Sequence, residues 1–369
     1  MKFNCEGIYL SEAIMRVSKA CAAQTTAPIL SCVHFAAKND TLTLTATDGE
    51  ITIRKSIPAE ILEEGEVCVP GRLLADFIKK LETESLSLQT TDGTLRIGYG
   101  ESASVLQTLP ADDFPGLDLD VQEDHFVMTR AAFKDLVAKT AFCCASDDSR
   151  PILKGCLVEI SENAVTATAL DGYRLATCKR SCVSASGNLR IICPARTLNE
   201  IARMIPDGDG ELTVFVRSGM MMVKMEDTIL TSKLYKGDFI DKNTLIPTRF
   251  ETVVTVKKSA LSESIERAAV MVKADRYSLV IFDIGQEQIG VTSASDLGNV
   301  RENVKAQTEG KELRIAMNSK YMLESMRAID GETVRIGFNS AISPLVCTDA
   351  DEADAVDLTY LILPVRTQG

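Results

Sequence analysis

Alternation of apolar and polar residues runs through much of this chain. Because successive side chains of a strand point to opposite faces, alternation predicts β-strands with one buried face. It is strongest in four segments, at residues 41–47, 51–54, 212–216 and 279–284. Asp-Gly pairs at Asp48 and Asp171 adjoin such runs, and Asp-Gly favours the tight turn of an antiparallel hairpin.

Two further sets of segments have apolar residues spaced three or four positions apart, which predicts helices with one buried face. The first set covers residues 11–21, 131–143 and 259–272. The second set begins at Arg72, Arg196 and Lys320. Helices combined with strands that are joined by hairpins predict an α+β fold.

The same motifs return along the chain at a nearly constant interval. The basic residues that begin the second set of helices stand at positions 72, 196 and 320, an interval of 124 residues in both cases. Asp48 and Asp171 are 123 residues apart, and a weaker copy of their turn contains Asp296, 125 residues further on. Equal spacing of unrelated motifs indicates repeats of one unit. The predicted domains are residues 1–122, 123–247 and 248–369.

Each helix of the second set carries two basic residues seven positions apart, which places both on one face. The pairs are Arg72 and Lys79, Arg196 and Arg203, and Lys320 and Arg327. The opposite face is apolar and is expected to be buried; in the first of these helices it comprises Leu73, Leu74, Phe77, Ile78 and Leu81. The other helices add further cations, among them Lys139. A solvated surface would explain one such helix, but three in register favour a shared surface that contacts phosphate groups without reading base sequence.

The overall charge opposes this interpretation unless the cations are concentrated. The chain has 40 Lys and Arg against 52 Asp and Glu, a net charge of −12. A nucleic-acid-binding protein of this charge must present its basic residues on one face and hold its acidic residues elsewhere. Hydrophobic residues make up 45% and charged residues 25%, which is typical of globular proteins. With no long apolar run and no signal-like N-terminus, the chain is expected to be soluble and cytoplasmic.

Other chemistry is poorly supported. The eleven cysteines include no C-x-x-C pair, and with only two histidines they are expected to be buried thiols, with no metal and no cofactor. Residues 207–211 weakly resemble a calcium loop, but a turn is the better interpretation. No phosphate-binding loop or nucleophile elbow is present, so an enzyme would have to depend on a Cys144–His125 dyad. A protein-only repeat scaffold is the remaining alternative, although it would not explain the basic pairs.

Several motifs, distributed over all three repeats, resemble the bacterial DNA polymerase sliding clamp family, the β subunit of DNA polymerase III holoenzyme. They lie at residues 1–3, 27–30, 47–49, 108–115, 170–176, 231–234 and 360–366. The resemblance implies domains with two inner helices and outer antiparallel sheets. It further implies a non-catalytic homodimeric ring that encircles duplex DNA and confers processivity in DNA replication. Its partners would be the DNA polymerase III catalytic subunit, the clamp loader and repair proteins, all bound through short peptide motifs.

The resemblance also assigns sites. A peptide pocket between the second and third domains would be lined by Leu153, Leu170, Gly172, Tyr173, Arg174, Leu175, Leu245, Tyr277, Asn318, Tyr321, Ile342, Pro344, Leu361, Ile362, Leu363, Pro364, Val365 and Arg366. Among the inner cations, Arg72 and Arg196 match best, and Gln24 replaces a cation of some members. The dimer interface would include Val270, Met271 and Ser104. Departures at Leu170, Ile240 and Thr244 bear on which peptides bind.

Overall fold

The computed structural model describes residues 1–82, 84–116, 124–161, 163–272, 278–296, 298–351 and 357–366. The described helices are α1 (Gly7–Val17), α2 (Gly71–Ile78), α3 (Arg130–Thr140), α4 (Ala195–Met204), α5 (Lys258–Met271) and α6 (Ser319–Ala328). All six fall within or beside the segments that the sequence predicts to be helical. Within the described residues, each third of the chain therefore has two α-helices, as the repeat predicts.

Strands make up most of the remaining structure. The first nine are β1 (Lys2–Glu6), β2 (Cys32–Lys38), β3 (Thr41–Thr47), β4 (Ile51–Pro58), β5 (Glu60–Glu63), β6 (Gly65–Pro70), β7 (Ser85–Thr91), β8 (Thr94–Tyr99) and β9 (Ser102–Gln107). The next nine are β10 (Asp124–Thr129), β11 (Gly155–Ser161), β12 (Ala164–Leu170), β13 (Arg174–Ser181), β14 (Ser184–Ala185), β15 (Leu189–Pro194), β16 (Glu211–Arg217), β17 (Met220–Met225) and β18 (Thr228–Lys233). The last eight are β19 (Thr252–Lys257), β20 (Leu279–Ile284), β21 (Gln288–Ser295), β22 (Gly298–Gly310), β23 (Leu313–Asn318), β24 (Thr333–Phe338), β25 (Leu345–Asp349) and β26 (Leu358–Ile362).

The chain divides into two compact units. The first comprises residues 1–131, 183–186 and 196–234. It contains a five-stranded sheet in the order β5-β1-β7-β8-β9 and a nine-stranded sheet in the order β14-β10-β16-β17-β18-β4-β3-β2-β6. Neighbouring strands run antiparallel, and α1 packs against α2 and against β4.

The second unit comprises residues 132–182, 187–195 and 235–369. Its twelve strands form one sheet in the order β15-β11-β12-β13-β26-β25-β24-β19-β22-β21-β20-β23. Here too the pairing is antiparallel, and α5 packs against α6 and β22. The observed helices and antiparallel sheets confirm the predicted α+β class. The predicted domain limits at residues 122 and 247 stay a prediction.

The second helix of the first repeat differs from its prediction. The helix ends at Ile78, before Leu81, which is the last residue of the predicted apolar face, and Lys79 is its C-terminal cap. Its buried positions are Gly71, Leu74 and Ile78, a narrow stripe at intervals of three and four residues. Leu73 lies to the side of this stripe and is 56% exposed, so the prediction that Leu73 is buried is wrong. The glycine at the start of α2 is required by packing, because a Cβ there would lie 2.6 Å from the Cys21 sulfur.

Metal binding, membrane insertion and thiol chemistry are three alternatives on which the described residues bear. Among the described residues, no group of three or more His, Cys, Asp or Glu is arranged to hold a metal ion. In the same part of the chain, no helix is long and apolar enough to cross a membrane. Eight of the eleven cysteines are buried. A hydrogen bond to Cys156, together with burial, raises the pKa of Cys144 well above its usual range, which keeps this thiol protonated and a poor nucleophile.

Candidate peptide and nucleic-acid interfaces

Four leucines from distant parts of the second unit meet in one buried cluster. Leu170 and Leu175 face each other across the β12–β13 hairpin, and Leu361 on β26 pairs with Leu175. Leu153 joins them from the short 3-10 turn before β11. We call Leu153, Leu170, Leu175 and Leu361 the pocket floor. The structure thus brings together four leucines that the resemblance assigned to the pocket, in a cluster that also contains Phe239.

The turn between β12 and β13 forms one side of this region. The carboxylate of Asp171 accepts hydrogen bonds from the backbone N–H groups of Tyr173, at 2.9 Å, and Arg174, at 3.0 Å. Gly172 has a φ of +91°, a conformation that favours glycine over other residues. The turn therefore projects Tyr173 outward, where it is 61% exposed and its ring lies 6.4 Å from that of Tyr321.

Arg174 is buried and held by four neighbours. Its Nε donates to Asp171 at 3.0 Å, its Nη2 donates to the Phe142 carbonyl at 2.8 Å, and its Nη1 donates to Glu324. Its guanidinium group also lies 4.5 Å from the centre of the Tyr321 ring. Burial alone would lower the pKa of Arg174, but Cys143, Glu324 and Asp171 together raise it. Arg174 is a fixed cation that positions Tyr321 and the turn.

The residues after β26 continue along this region, and we call residues 363–366 the C-terminal tail. The backbone N–H of Leu363 donates to the Tyr173 carbonyl at 2.8 Å, and that of Val365 donates to the Ala316 carbonyl at 2.8 Å. Exposed apolar side chains lie on the turn, on the tail and beside the tail: Tyr173, Leu363 and Ile342. Leu245 is exposed as well, after the short 3-10 turn at residues 242–244. An apolar floor with an exposed apolar rim is the kind of surface that binds a short apolar peptide.

Some residues assigned to the pocket have other roles or fall elsewhere. Ile362 follows Leu361 on β26, so its side chain points to the opposite face of the strand from Leu361, where it is fully buried. Its assignment to the pocket wall stays a prediction. Asn318 is the N-terminal cap of α6, where its side chain accepts hydrogen bonds from Lys320 N–H and Tyr321 N–H. Pro344 is half-buried. Tyr277 lies outside the described residues.

The sequence did not indicate which distant residues hold the Arg174 side chain in place. Glu324 and Phe142 are 150 and 32 residues away from it along the chain, and neither lies in a motif that indicates the contact. Asp171 did carry a signal, because it belongs to the repeated Asp-Gly turn. At the positions that depart from the family, Ile240 and Thr244 are both exposed, whereas Leu170 is buried in the pocket floor.

The six repeated cations are all exposed to solvent. Four of them nevertheless have acidic neighbours: Arg196 contacts Asp48, Arg203 contacts Glu200 at 2.6 Å, Lys320 lies 4.0 Å from Glu324, and Arg327 contacts Glu266 at 3.0 Å. Within the part of the chain that the structure describes, Arg72 and Lys79 form no ion pair. Arg72 and Lys79 are therefore the cations most available to an external phosphate group.

Lys139 does not belong with these cations. It is only 4% exposed, and its ammonium group contacts Asp135 at 3.0 Å and also contacts Asp330. A phosphate group cannot reach a buried ammonium that already has two carboxylate partners, so the prediction that Lys139 binds DNA is wrong. Gln24, by contrast, is exposed in the segment that follows α1.

The residues assigned to a dimer interface lie on α5, which packs against β22, and on the edge strand β9. Val270, in the last turn of α5, is 67% exposed, and Met271 beside it is half-buried. Ser104 lies on β9, the outermost strand of the five-stranded sheet. In the other unit, residues 298–305 of β22 pair with β21, and only residues 306–310 pair with β19. Among the described residues, β9 and the first part of β22 each leave one backbone edge unpaired.

Three α+β repeats, each with two helices and antiparallel strands, define a DNA clamp. The chain belongs to the DNA polymerase III beta subunit family. The models of the N-terminal, central and C-terminal domains of that family match residues 1–118, 127–241 and 243–366.

Named relatives cover the chain from end to end. It is 31% identical to the beta sliding clamp of Staphylococcus epidermidis and 30% identical to that of Staphylococcus aureus, over 379 aligned residues and the whole of each chain. Among solved structures, the DNA polymerase sliding clamp of Bacillus subtilis superposes with a TM-score of 0.94 at 26% identity. The sliding clamp of Pseudomonas aeruginosa bound to griselimycin superposes with a TM-score of 0.91 at 26% identity. Each superposition covers 100% of both chains.

Proposed function

We propose that this protein is a DNA sliding clamp, which acts in the cytoplasm without catalysing a reaction. Two copies form a ring around duplex DNA and tether the DNA polymerase III catalytic subunit, the clamp loader and repair proteins. The observation that carries the proposal is the exposure of all six repeated cations in a chain of net charge −12. Exposed basic pairs in three family-defined repeats suit contact with a polyanion.

Weak contacts are sufficient for such a ring. A closed ring stays on DNA because the duplex passes through it, so each phosphate contact can be brief and sensitive to salt. Four of the six cations have carboxylate neighbours, which supports loose contact over tight binding. No base-reading motif is required, and a ring of this kind slides without sequence preference.

The open edges support a homodimer. Val270 and Met271 end α5, which packs against β22, and among the described residues β22 has an unpaired edge over residues 298–305. Ser104 lies on β9, which pairs with β8 on one side and, among the described residues, has an open edge on the other. We propose that β9 of one copy pairs with β22 of the other and that Val270 is buried in the contact. Head-to-tail pairing of this kind, repeated twice, closes a ring of two chains.

The predicted pocket supports the tethering role. Its floor and rim suit a short apolar peptide, which needs no large interface to be held. A partner bound through such a peptide stays close to the primer end, and its effective concentration there is raised without a new DNA contact. Processivity follows from this tethering.

Release from DNA ends tests the proposal. The protein is loaded by its clamp loader onto nicked circular duplex DNA, and the complex is isolated by gel filtration before and after a restriction enzyme linearises the DNA. We expect retention on the circle and loss from the linear product. A groove-binding protein would stay on both forms, whereas a protein-only repeat scaffold would be retained on neither, and either result would reject the clamp.

A further inference from the structure

A second cleft, of about 440 Å³, adjoins the C-terminal tail. Its walls come from β20, from β23, from the loop before β25 and from the tail itself. The apolar lining includes Ile281, Ala316, Ile342 and Val365, and two arginines, Arg314 and Arg366, stand in the same lining. We call this cleft the tail cleft. It lies entirely within the second compact unit.

The tail cleft is continuous with the predicted peptide pocket. Ile342, Val365 and Arg366 line the cleft and are also among the residues assigned to the pocket. The hydrogen bond from Val365 N–H to the Ala316 carbonyl fixes the tail against β23, so the cleft and the pocket share a wall. Ile342 is 73% exposed, which leaves a large apolar side chain at the junction in contact with solvent.

The charge at the tail cleft favours an acidic ligand. Arg314 is exposed, and its Nη1 lies 3.2 Å from Asp283 on the neighbouring strand. An arginine has five N–H donors, so this single contact leaves most of them available. Arg366 is also exposed and, within the described residues, forms no ion pair. Two guanidinium groups against one carboxylate leave a local positive charge beside an apolar surface.

We propose that the tail cleft binds the residues that flank a partner's pocket-binding motif, and that it selects an aliphatic residue followed or preceded by a carboxylate. This inference rests on the proposed function, because it extends the peptide pocket. The aliphatic side chain packs against Ile281, Ala316 and Ile342. The carboxylate accepts hydrogen bonds from Arg314, and Arg366 adds positive charge beside it. A partner whose flanking residues include Lys or Arg binds more weakly, because these residues meet the positive charge of the cleft. Partners that share the same core motif therefore differ in affinity according to their flanks.

Peptide titrations test the inference. The core probe is the shortest peptide of the DNA polymerase III catalytic subunit that binds the full-length protein, and its Kd is measured by fluorescence anisotropy. Leu-Glu or Leu-Lys is then added at one end or the other in separate peptides. We expect Leu-Glu, at the end that reaches the cleft, to lower Kd about tenfold, and Leu-Lys to lower it about twofold at most.

Substitutions in the cleft test whether Arg314 causes the difference in Kd between the Leu-Glu and Leu-Lys peptides. In Arg314→Gln, the Leu-Glu peptide should bind within about twofold of the Leu-Lys peptide, and the Kd of the core peptide should not change. Asp283→Asn removes the carboxylate that competes for Arg314, so it should tighten binding of the Leu-Glu peptide. Arg335→Gln is the control, because Arg335 is an exposed arginine on β24 that lines neither the cleft nor the proposed dimer contact.

The outcomes separate the inference from the proposed function. If the core peptide fails to bind, the pocket itself is rejected. If the core peptide binds, but the peptides extended by Leu-Glu and by Leu-Lys have the same Kd at both ends, only the tail cleft is rejected. A variant that ends at Arg366 provides a further check: if it binds all peptides more tightly to the same extent, residues 367–369 occupy the cleft, and the inference is overturned.

Discussion

Arg196 and Asp48, 148 residues apart in the chain, form an ion pair. Arg196 is at the start of α4, and its Nη2 also donates to the Lys19 carbonyl at 2.9 Å. Asp48 is in the Asp-Gly turn after β3, where it accepts hydrogen bonds from the backbone N–H groups of Glu50 and Ile51. Arg196 is therefore both a candidate DNA contact and a structural link between two of the repeated motifs.

This ion pair predicts a pH dependence of stability. Burial would raise the pKa of Asp48, but hydrogen bonds from the backbone of Ile51 and Glu50, together with Arg196, lower it below the model-peptide value of 3.8. A carboxylate with a lowered pKa stabilises the folded state above its unfolded pKa, and this stabilisation is lost as pH falls through the folded pKa. Urea unfolding between pH 6 and pH 3 should therefore show a smaller loss of stability for Asp48→Asn than for the natural protein.

A control variant distinguishes the contribution of Asp48 to the pH dependence of stability from that of the other carboxylates. Asp40→Asn removes an exposed carboxylate whose side chain forms no ion pair within the described residues, so its pH profile should match that of the natural protein. If Asp48→Asn and Asp40→Asn have the same profile, the ion pair with Arg196 contributes nothing measurable to folding.

The sequence predicted those features that depend on local patterns. The constant spacing of Arg72, Arg196 and Lys320 located three of the helices, and alternation gave β3 and β20 with their observed limits. These succeed because a helix or a strand needs only its own side chains to define a buried face. The resemblance, and not the pattern, supplied the members of the pocket floor, which come from parts of the chain up to 208 residues apart.

Lys139 and Ile362 show what a local pattern misses, which is a partner far away in the chain. Lys139 resembles a solvated helix cation in sequence, but Asp330, 191 residues away, pairs with it in the folded protein. Ile362 lies in a run of apolar residues, and only the pairing of β26 with β13 and β25 shows which side chains share a face. Pairing across such distances leaves no periodic signal in the sequence.

Exchange of exposed cations for acids should weaken retention on DNA. Arg72→Glu combined with Lys320→Glu avoids Arg196, whose loss would also break the contact with Asp48. We expect retention on nicked circular DNA to fall about tenfold at moderate salt, because phosphate contacts supply the affinity. Size-exclusion chromatography should give an unchanged dimer mass. Lys38→Glu with Lys311→Glu changes the charge equally on exposed lysines outside the helices; equal loss in this variant would contradict the assignment.

Lys139 should affect stability and leave DNA retention unchanged. Lys139→Gln removes a buried ammonium from Asp135 and Asp330, and we expect a loss of about 1–3 kcal/mol in the free energy of unfolding. Most of the side chain of Asp330 is exposed, so it can be hydrated when its partner is removed. The measurement is urea unfolding, with the nicked-circle assay alongside it. Reduced DNA retention by a protein that is fully folded would restore Lys139 as a DNA contact.

Removal of the C-terminal tail should abolish peptide binding. A chain that ends at Ile362 keeps β26 but loses the hydrogen bonds from Leu363 to Tyr173 and from Val365 to Ala316. Binding of the polymerase peptide should become undetectable by anisotropy, whereas retention on circular DNA should persist, because the tail carries none of the repeated cations. A chain that ends at Arg366 is the matched control and should bind the core peptide normally. Peptide affinity that survives in the shorter chain would reject the pocket.

Val270 provides the sharpest test of the ring. Val270 is exposed in the single chain, so its replacement does not disturb a core, and Val270→Asp should leave the fold and the melting temperature of each chain nearly intact. In the proposed dimer the same side chain is buried, and an unpaired carboxylate there is strongly unfavourable. Analytical ultracentrifugation should therefore show a monomer, and the protein should no longer stay on circular DNA. Val183→Asp changes an equally apolar, exposed side chain outside the proposed interface and should remain dimeric; a Val270→Asp protein that is still dimeric would show that the chains meet through another surface.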